Sequence, residues 1–446
     1  MNRFLSLLLF LCMLAAAPLS MAENGFAEIP QLLRFTQTAP SYQWLNDRLY
    51  TIAMYPHTAN SAVDAEMKSL IDAMDAEGRK HLPSTIGDEW NSHLITASTI
   101  SRTGTQIMSF LTTASVTHTN RQIYIDYATR VYDMASGAEL RMTDLFPEDS
   151  PAWSMLADEV RMQLSMYFAG VTPDQDALDA LCSREGLENA SFTLTPASML
   201  MTYRADTLYP GREQLMHVRI YYPDIRPYMT QFMYEQTDNS RYQLVALTYD
   251  DGCAKGNSTA VVNQLRRYGA SATFFVVGTT IAGNQDILAY EHDSGFSVAS
   301  HNYEHAYKNL TTANILNWKK LYDEAMNDAI GIRPTIMRAP GGNDKPFCTA
   351  QVGLPVIHWS LSPGDAGAGA DKIDSIASRV GYGSNAGDVV LMHDLNTNCR
   401  SYTAQLLPLL EQRGIMCVTV EELFSHYGVK LKANTAYNGC AGLPIP

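Results

Sequence analysis

The chain has 446 residues, with 32 Lys and Arg against 46 Asp and Glu, a net charge of −14. An apolar content of 46% with 17% charged residues excludes a disordered chain. The acidic balance argues against a nucleic-acid partner, which needs clustered Lys and Arg, and offers no polybasic pull toward an anionic membrane.

Arg3 precedes an apolar run from Phe4 to Ala17, which Pro18 breaks before the small residues of Ser20-Met21-Ala22. This pattern predicts a secretory signal over residues 1–22, too short to span a bilayer. It implies a secreted or envelope-associated, extracytoplasmic protein with no membrane span after cleavage. Of seven cysteines, Cys12 falls in that signal. The remaining six permit disulfides in an oxidising compartment. Cys348 and Cys399, both in expected loops, are the expected pair. Cys417, in an apolar run, is expected to be a buried thiol.

Residues 23–236 read as a smaller α+β accessory domain. Asn60-Ser61 caps a helix with apolar positions Val63, Met67, Leu70, Ile71 and Met74, closed by Gly78. Strand-like runs follow at Ile107–Val116 and at the alternating Ile123, Ile125 and Tyr127. Ser150-Pro151 opens a helix carrying Trp153, Leu156, Val160, Leu164 and Phe168. A further β region covers Phe192–Tyr222. The polar stretch Glu235–Ser240 reads as a linker.

Residues 237–430 change period to strand, helix, strand, helix. Strands are expected at 243–249, 272–277, 296–300, 336–338, 356–360, 389–393 and 416–420, with helices between them. Seven such strands predict a parallel α/β sheet, open or closed into a barrel. Residues 431–446 read as a tail.

In parallel α/β folds chemistry gathers at the C-terminal ends of the strands. Asp250 and Asp251 end the first strand, His301 the third with His305 four residues on, and Arg338 the fourth. Asp365 follows the fifth, and His393 ends the sixth. One Asp and two neutral His form a common ligand set for a catalytic divalent metal with one position open. The two imidazoles can face one ion across a helical turn or across a tight loop. The adjacent aspartates cannot easily point alike, so one can bind metal while the other contacts its water as a base. His393 suits a proton donor, and Arg338 can hold a carboxylate ionised. Each feature alone has an ordinary reading, as a helix cap, a surface histidine pair or a loop salt bridge. Their order along five strand ends sets them apart. Cys253, two residues past Asp251, has no assigned role.

These residues resemble the motifs of the polysaccharide deacetylase family, carbohydrate esterase family 4, also called the NodB homology domain. Thr248-Tyr249-Asp250-Asp251-Gly252 is similar to its first motif, and His301-Asn302-Tyr303-Glu304-His305 to its second, with Asn302 where a hydroxyl residue is usual. Arg338-Ala339-Pro340-Gly341-Gly342 resembles the third, Trp359 through Ala366 the fourth, and Val390-Leu391-Met392-His393 the fifth. The resemblance implies a distorted (β/α)₇ barrel and a hydrolase of linear amide bonds, removing N-acetyl groups from amino sugars. It implies Asp251, His301 and His305 as ligands of zinc, or of cobalt or a similar ion. Asp250 would be the base, His393 the acid, with Arg338 orienting Asp250 and Asp365 pairing with His393. Tyr249, Pro340, Gly341, Trp359 and Leu391 would contact substrate. Motif four departs from the pattern: Ser362 replaces its first Asp, and Ala366 replaces a Trp that normally lines the sugar groove.

The first half is more faintly similar to a module that precedes some peptidoglycan deacetylases and occurs in lysozyme-sensing anti-sigma factors. The similarity runs through Ile125-Asp126-Tyr127, Asp144-Leu145-Phe146 and Tyr203–Tyr222. It implies cell-wall glycan, with peptidoglycan favoured, as the substrate, and a glycan or lysozyme-type partner for that half. The competing readings are a deacetylase of chitin-like oligomers or another extracellular polysaccharide, a hydrolase of other amides or O-acetyl esters, and a wall- or lysozyme-binding protein with an auxiliary barrel.

Overall fold

The computed structural model describes residues 26–46, 49–84 and 92–445; the expected signal, with Cys12, lies outside the described residues. The N-terminal region is built on a six-stranded sheet containing β1 (Leu49–Ala53), β2 (Ser92–Thr103), β3 (Ile107–His118) and β4 (Arg121–Asp133), with α1 (Ser61–Arg79) against it. The Asn60 side chain accepts from the N–H groups of Ala62 and Val63, so the expected cap starts α1. Gly78 does not end the helix. It lies inside it, where an added Cβ would come within 2.7 Å of Leu94, so its lack of a side chain lets α1 sit close on the sheet. The strand period of two splits the sheet's cargo. Leu94 joins Met74 of α1, whereas Ile95 and Ala97 face the other way into the cluster of Val261 and Leu265. Beyond the sheet come α2 (Ala152–Ser165) and a three-stranded sheet containing β5 (Ser198–Arg204) and β6 (Leu215–Tyr221).

The C-terminal half is a distorted (β/α)₇ barrel. Its strands are β7 (Gln243–Asp251), β8 (Thr273–Val276), β9 (Ser297–Ser300), β10 (Val356–Ile357), β11 (Val389–His393) and β12 (Ile415–Val418). β7 pairs in parallel with β8 and with β11, β8 pairs with β9, and β12 joins the first half of β7. Single bridges complete the ring: Ser300 to Met337, Met337 to Val356 and Leu361 to Val390. The expected strand at 336–338 thus contracts to one bridge at Met337, between Pro334 and Pro340, whose rings remove ladder donors. Outside lie α3 (Asn257–Tyr268), α4 (Gln285–Asp293), α5 (Thr312–Ile330), α6 (Ile373–Gly383), α7 (Cys399–Gln412) and α8 (Val420–His426). The expected tail adds β13 (Ala436–Tyr437), which pairs with β10, and Cys440 is buried.

The halves are joined by buried polar contacts as well as apolar ones. Arg266 of α3 is fully buried and donates to the Ala97 carbonyl and to Thr113 Oγ1 of the N-terminal sheet. Arg219 pairs with the fully buried Glu422, and Arg102 with Glu411 at 2.6 Å. The polar stretch expected as a linker is a packed junction. Residues Gln231–Gln236 are helical and Thr237 and Asn239 are buried. The Asn239 side chain accepts from Gly104 N–H at 3.0 Å and donates to the Pro196 carbonyl at 2.6 Å.

The six described cysteines are free, which overturns the expected Cys348–Cys399 bridge. Cys399 opens α7, its buried thiol 3.8 Å from Thr403 Oγ1, while Cys348 sits on the separate helix Asp344–Ala350. Cys417 is buried, as expected, and so is Cys253, whose thiol faces the Asn284 carbonyl at 3.6 Å.

Candidate metal and proton-transfer site

The rim of the barrel is assembled from strand ends. On β7 the side chains alternate, so Thr248 and Asp250 share the inward face and meet Arg338, whose Nη1 lies 2.7 Å from Thr248 Oγ1 and 2.6 Å from Asp250 Oδ1. The same alternation overturns Tyr249 as a substrate contact. It points into the helix layer, fully buried against Phe274, with its hydroxyl 3.1 Å from Thr403 Oγ1. Asp251 escapes the alternation because its backbone turns into the left-handed region at φ 80°. That turn brings its Oδ1 to 3.5 Å from His301 Nε2 and 3.3 Å from His305 Nε2.

His301 and His305 face each other across a loop, not a helix. Asn302 takes φ 65° and its side-chain amide donates to the Glu304 carbonyl at 2.8 Å, folding the loop back. Asparagine tolerates that conformation better than most residues. His301 Nδ1 lies 3.0 Å from the Arg338 carbonyl, which assigns its proton to Nδ1 and leaves Nε2 with a lone pair. Burial lowers the His301 pKa, against the pull of Asp250 and Asp251, and so favours the neutral ring.

These residues fit a divalent ion. Their three ligand atoms lie within 4.8 Å of one another. Tetrahedral bonds of about 2.0–2.1 Å would separate such atoms by about 3.3 Å, close to the two spacings from Asp251. Asp251 Oδ1 is buried and has no hydrogen-bond partner among the described residues. An orphaned carboxylate oxygen in such a place is costly unless a cation answers it.

Proton-transfer groups flank this set. Asp250 is buried, and Arg338 is held rigid above it by the Ile357 and His358 carbonyls and packs on Phe275. His393, paired with Asp250 across β7 and β11, has its Nδ1 3.0 Å from Asp365 Oδ1. Asp365 also accepts from His393 N–H at 2.8 Å and from the Tyr402 hydroxyl at 2.7 Å. Burial would lower the His393 pKa, but the Asp365 hydrogen bond and charge outweigh it, so the pKa is raised. Tyr402 comes from α7 and nothing in the sequence singles it out. Asp394 is another omission; its place beside His393 is the signal that could have found it. It is fully buried, and burial pushes its carboxyl up to about 7.

The remaining expected substrate contacts divide. Gly341 is exposed at φ 63°, under Tyr307, which a Cβ would approach to 2.5 Å. Trp359 is partly exposed and stacks on His358 at 3.8 Å. Pro340 and Leu391 are buried, and Pro340 begins the turn that carries Gly341. Tyr307, also missed, is 60% exposed, with its hydroxyl 3.3 Å from His305 Nε2.

A second group of the same residue types, His217, His292 and Asp293, joins the two halves. Here the polar atoms already have partners. His217 contacts Thr202 Oγ1 and the His292 carbonyl, and His292 contacts Asp293 and Tyr167. Asp293 also accepts from Gln122 and from Leu215 N–H. A cleft of about 990 Å³ lies nearby, between α2 and the start of β9, at the opposite end of the barrel strands from the rim.

Residues 237–351 match the family model described as polysaccharide deacetylase. The peptidoglycan-N-acetylglucosamine deacetylase PgdA of Listeria monocytogenes is 32% identical over 197 residues, 43% of this chain and 41% of that relative. The chain therefore spans about two fifths of that relative's length. A peptidoglycan-N-acetylglucosamine deacetylase of Bacillus cereus is 31% identical over 196 residues, 41% of this chain and 89% of the relative. Among solved structures, a T48 deacetylase with substrate aligns at 27% identity and a TM-score of 0.41, covering 44% of this chain and 97% of that one.

Proposed function

We propose, from the premise that this chain belongs to the polysaccharide deacetylase family, that it is an exported, metal-dependent N-deacetylase of amino sugars in cell-wall glycan. Peptidoglycan is the favoured substrate class, since the two relatives above are named for it. The observation that carries the reading is the pairing of an orphaned Asp251 oxygen and two facing imidazoles with Asp250 and His393, two proton-transfer groups on adjoining strands.

Asp251, His301 and His305 would hold the ion, zinc or a similar one, which would polarise the acetyl carbonyl and acidify water. Asp250 takes the proton from the attacking water. The Arg338 ion pair at 2.6 Å fixes the direction of the Asp250 carboxylate. His393, protonated on Nε2 and tethered through Nδ1 to Asp365, gives its proton to the amine as the C–N bond breaks. The Tyr402 hydroxyl and His393's own N–H lock the Asp365 carboxylate, so the imidazole keeps one tautomer and one direction. The products are acetate and a free amino sugar.

The test is mass spectrometry of muropeptides and chitooligomers incubated with the zinc-loaded protein. Loss of one acetyl group per product, with matching acetate release, is expected on the muropeptides. No loss from either N-acetylated substrate by protein that carries metal ends the reading. Acetate released only from O-acetylated glycan moves it to an esterase.

A further inference from the structure

We propose that Asp394 is a positioning residue that sets the turn carrying Asp251, and with it the affinity of the metal site; this rests on the reading of Asp251 as a ligand. Asp394 follows His393 at the end of β11, and its side chain turns away from the rim, beneath the Asp250–Gly252 turn. Its backbone N–H donates to the Asp250 carbonyl at 3.3 Å. Its carboxylate lies directly on Gly252, where a Cβ would come within 2.3 Å of Oδ2. One residue therefore holds the main chain on both sides of Asp251, by a hydrogen bond to position 250 and by packing against position 252, around the residue held at φ 80°.

The grip has its own support. The Ser258 hydroxyl, one residue into α3, donates to Asp394 Oδ2 and accepts from Ala254 N–H at 2.8 Å. The opposite side of the turn is tied to the segment just after β8: the Gly252 carbonyl accepts from Val277 N–H at 3.1 Å and from Thr280 Oγ1 at 2.9 Å. Asp394 alone among these anchors directly follows the strand that carries His393. It thereby fixes the offset between the metal ligand and the acid. A carboxylate is suited to this place because it is flat enough to lie against Gly252 while accepting from the Ser258 hydroxyl. A residue with a side chain at position 252 would displace it, which is why glycine stands there.

Groups that orient metal ligands from behind usually alter affinity by about 10–100-fold when removed. Zinc affinity is measured by competition with a chromogenic chelator, beside melting temperature and acetate release. Asp394→Asn is expected to weaken zinc binding about 10–100-fold, and Ser258→Ala several-fold in the same direction. Glu291→Gln, a buried acid on α4 outside this grip, is expected to leave zinc affinity within twofold. Zinc affinity within twofold of the original chain in a folded Asp394→Asn overturns the proposal. If that variant does not melt cooperatively, Ser258→Ala decides: unchanged affinity overturns the proposal and weakened affinity supports it. Failure of the original chain to bind zinc would instead strike the reading of Asp251, His301 and His305 as ligands.

Discussion

Two places in this molecule gather two histidines and one aspartate, and they differ in what remains free. At Asp251, His301 and His305 a buried carboxylate oxygen has no partner, and His301 directs a lone pair at it because its other nitrogen is engaged. At His217, His292 and Asp293 the same atom types are used up in hydrogen bonds that stitch β6 to α4. Residue type and proximity are therefore insufficient for a metal site. A buried carboxylate oxygen that no protein donor answers makes the difference.

Removing ligands from each group is the strongest test of this contrast. His301→Ala is expected to reduce metal content by elemental analysis from one ion per chain toward zero and to abolish acetate release. His292→Ala should leave one ion per chain. A stoichiometry of two in the original chain, falling to one in His292→Ala, would break the comparison.

Separating metal from proton transfer sharpens it. Asp250→Asn should lower acetate release by about 10²–10⁴-fold, the usual contribution of a positioned base, with metal content unchanged. Asp365→Asn is expected to have a smaller effect with a distinct signature. His393 has a raised pKa, so its protonated form is present at low pH and is lost as pH rises through that value. Without the Asp365 charge the alkaline limb of the kcat/KM profile moves to lower pH.

The stitched group should respond in stability instead. His292→Ala removes one hydrogen-bond partner each from the buried Tyr167 and Asp293 and is expected to cost about 1–3 kcal/mol by denaturant unfolding. The smallest effect concerns acid. Burial drives the His217 pKa well below 6.5, so the unfolded chain takes up a proton before the folded one as pH falls. Stability is therefore lost on acidification from about pH 6.5 downward. His217→Gln, which can still donate to the His292 carbonyl, should flatten that loss between pH 7 and 5 in thermal melts.

The barrel and most of its rim were legible because their signals are local. The alternation of strand and helix, and polar residues at strand ends, follow from period and position along the chain. Asp250, Asp251, His301, His305, Arg338, Asp365 and His393 all lie at or just beyond such ends, and the structure gathers them. Tyr249 misled because it sits inside the motif, yet a strand's period of two turns it toward Phe274 and Thr403. The polar junction at 235–240 read as a linker because its partners, Gly104 and Pro196, are remote in sequence.

By itself, then, the sequence determined which side chains reach the barrel's rim, since strand ends and glycine-marked turns are written in consecutive residues. Tertiary structure alone decided which atoms there stay unpartnered, that Tyr402 and Asp394 brace them, that Cys348 and Cys399 stand apart, and that Arg266 binds the halves together. Each of those depends on elements far apart in the chain meeting in space, and hydrogen bonds and burial are properties of that meeting.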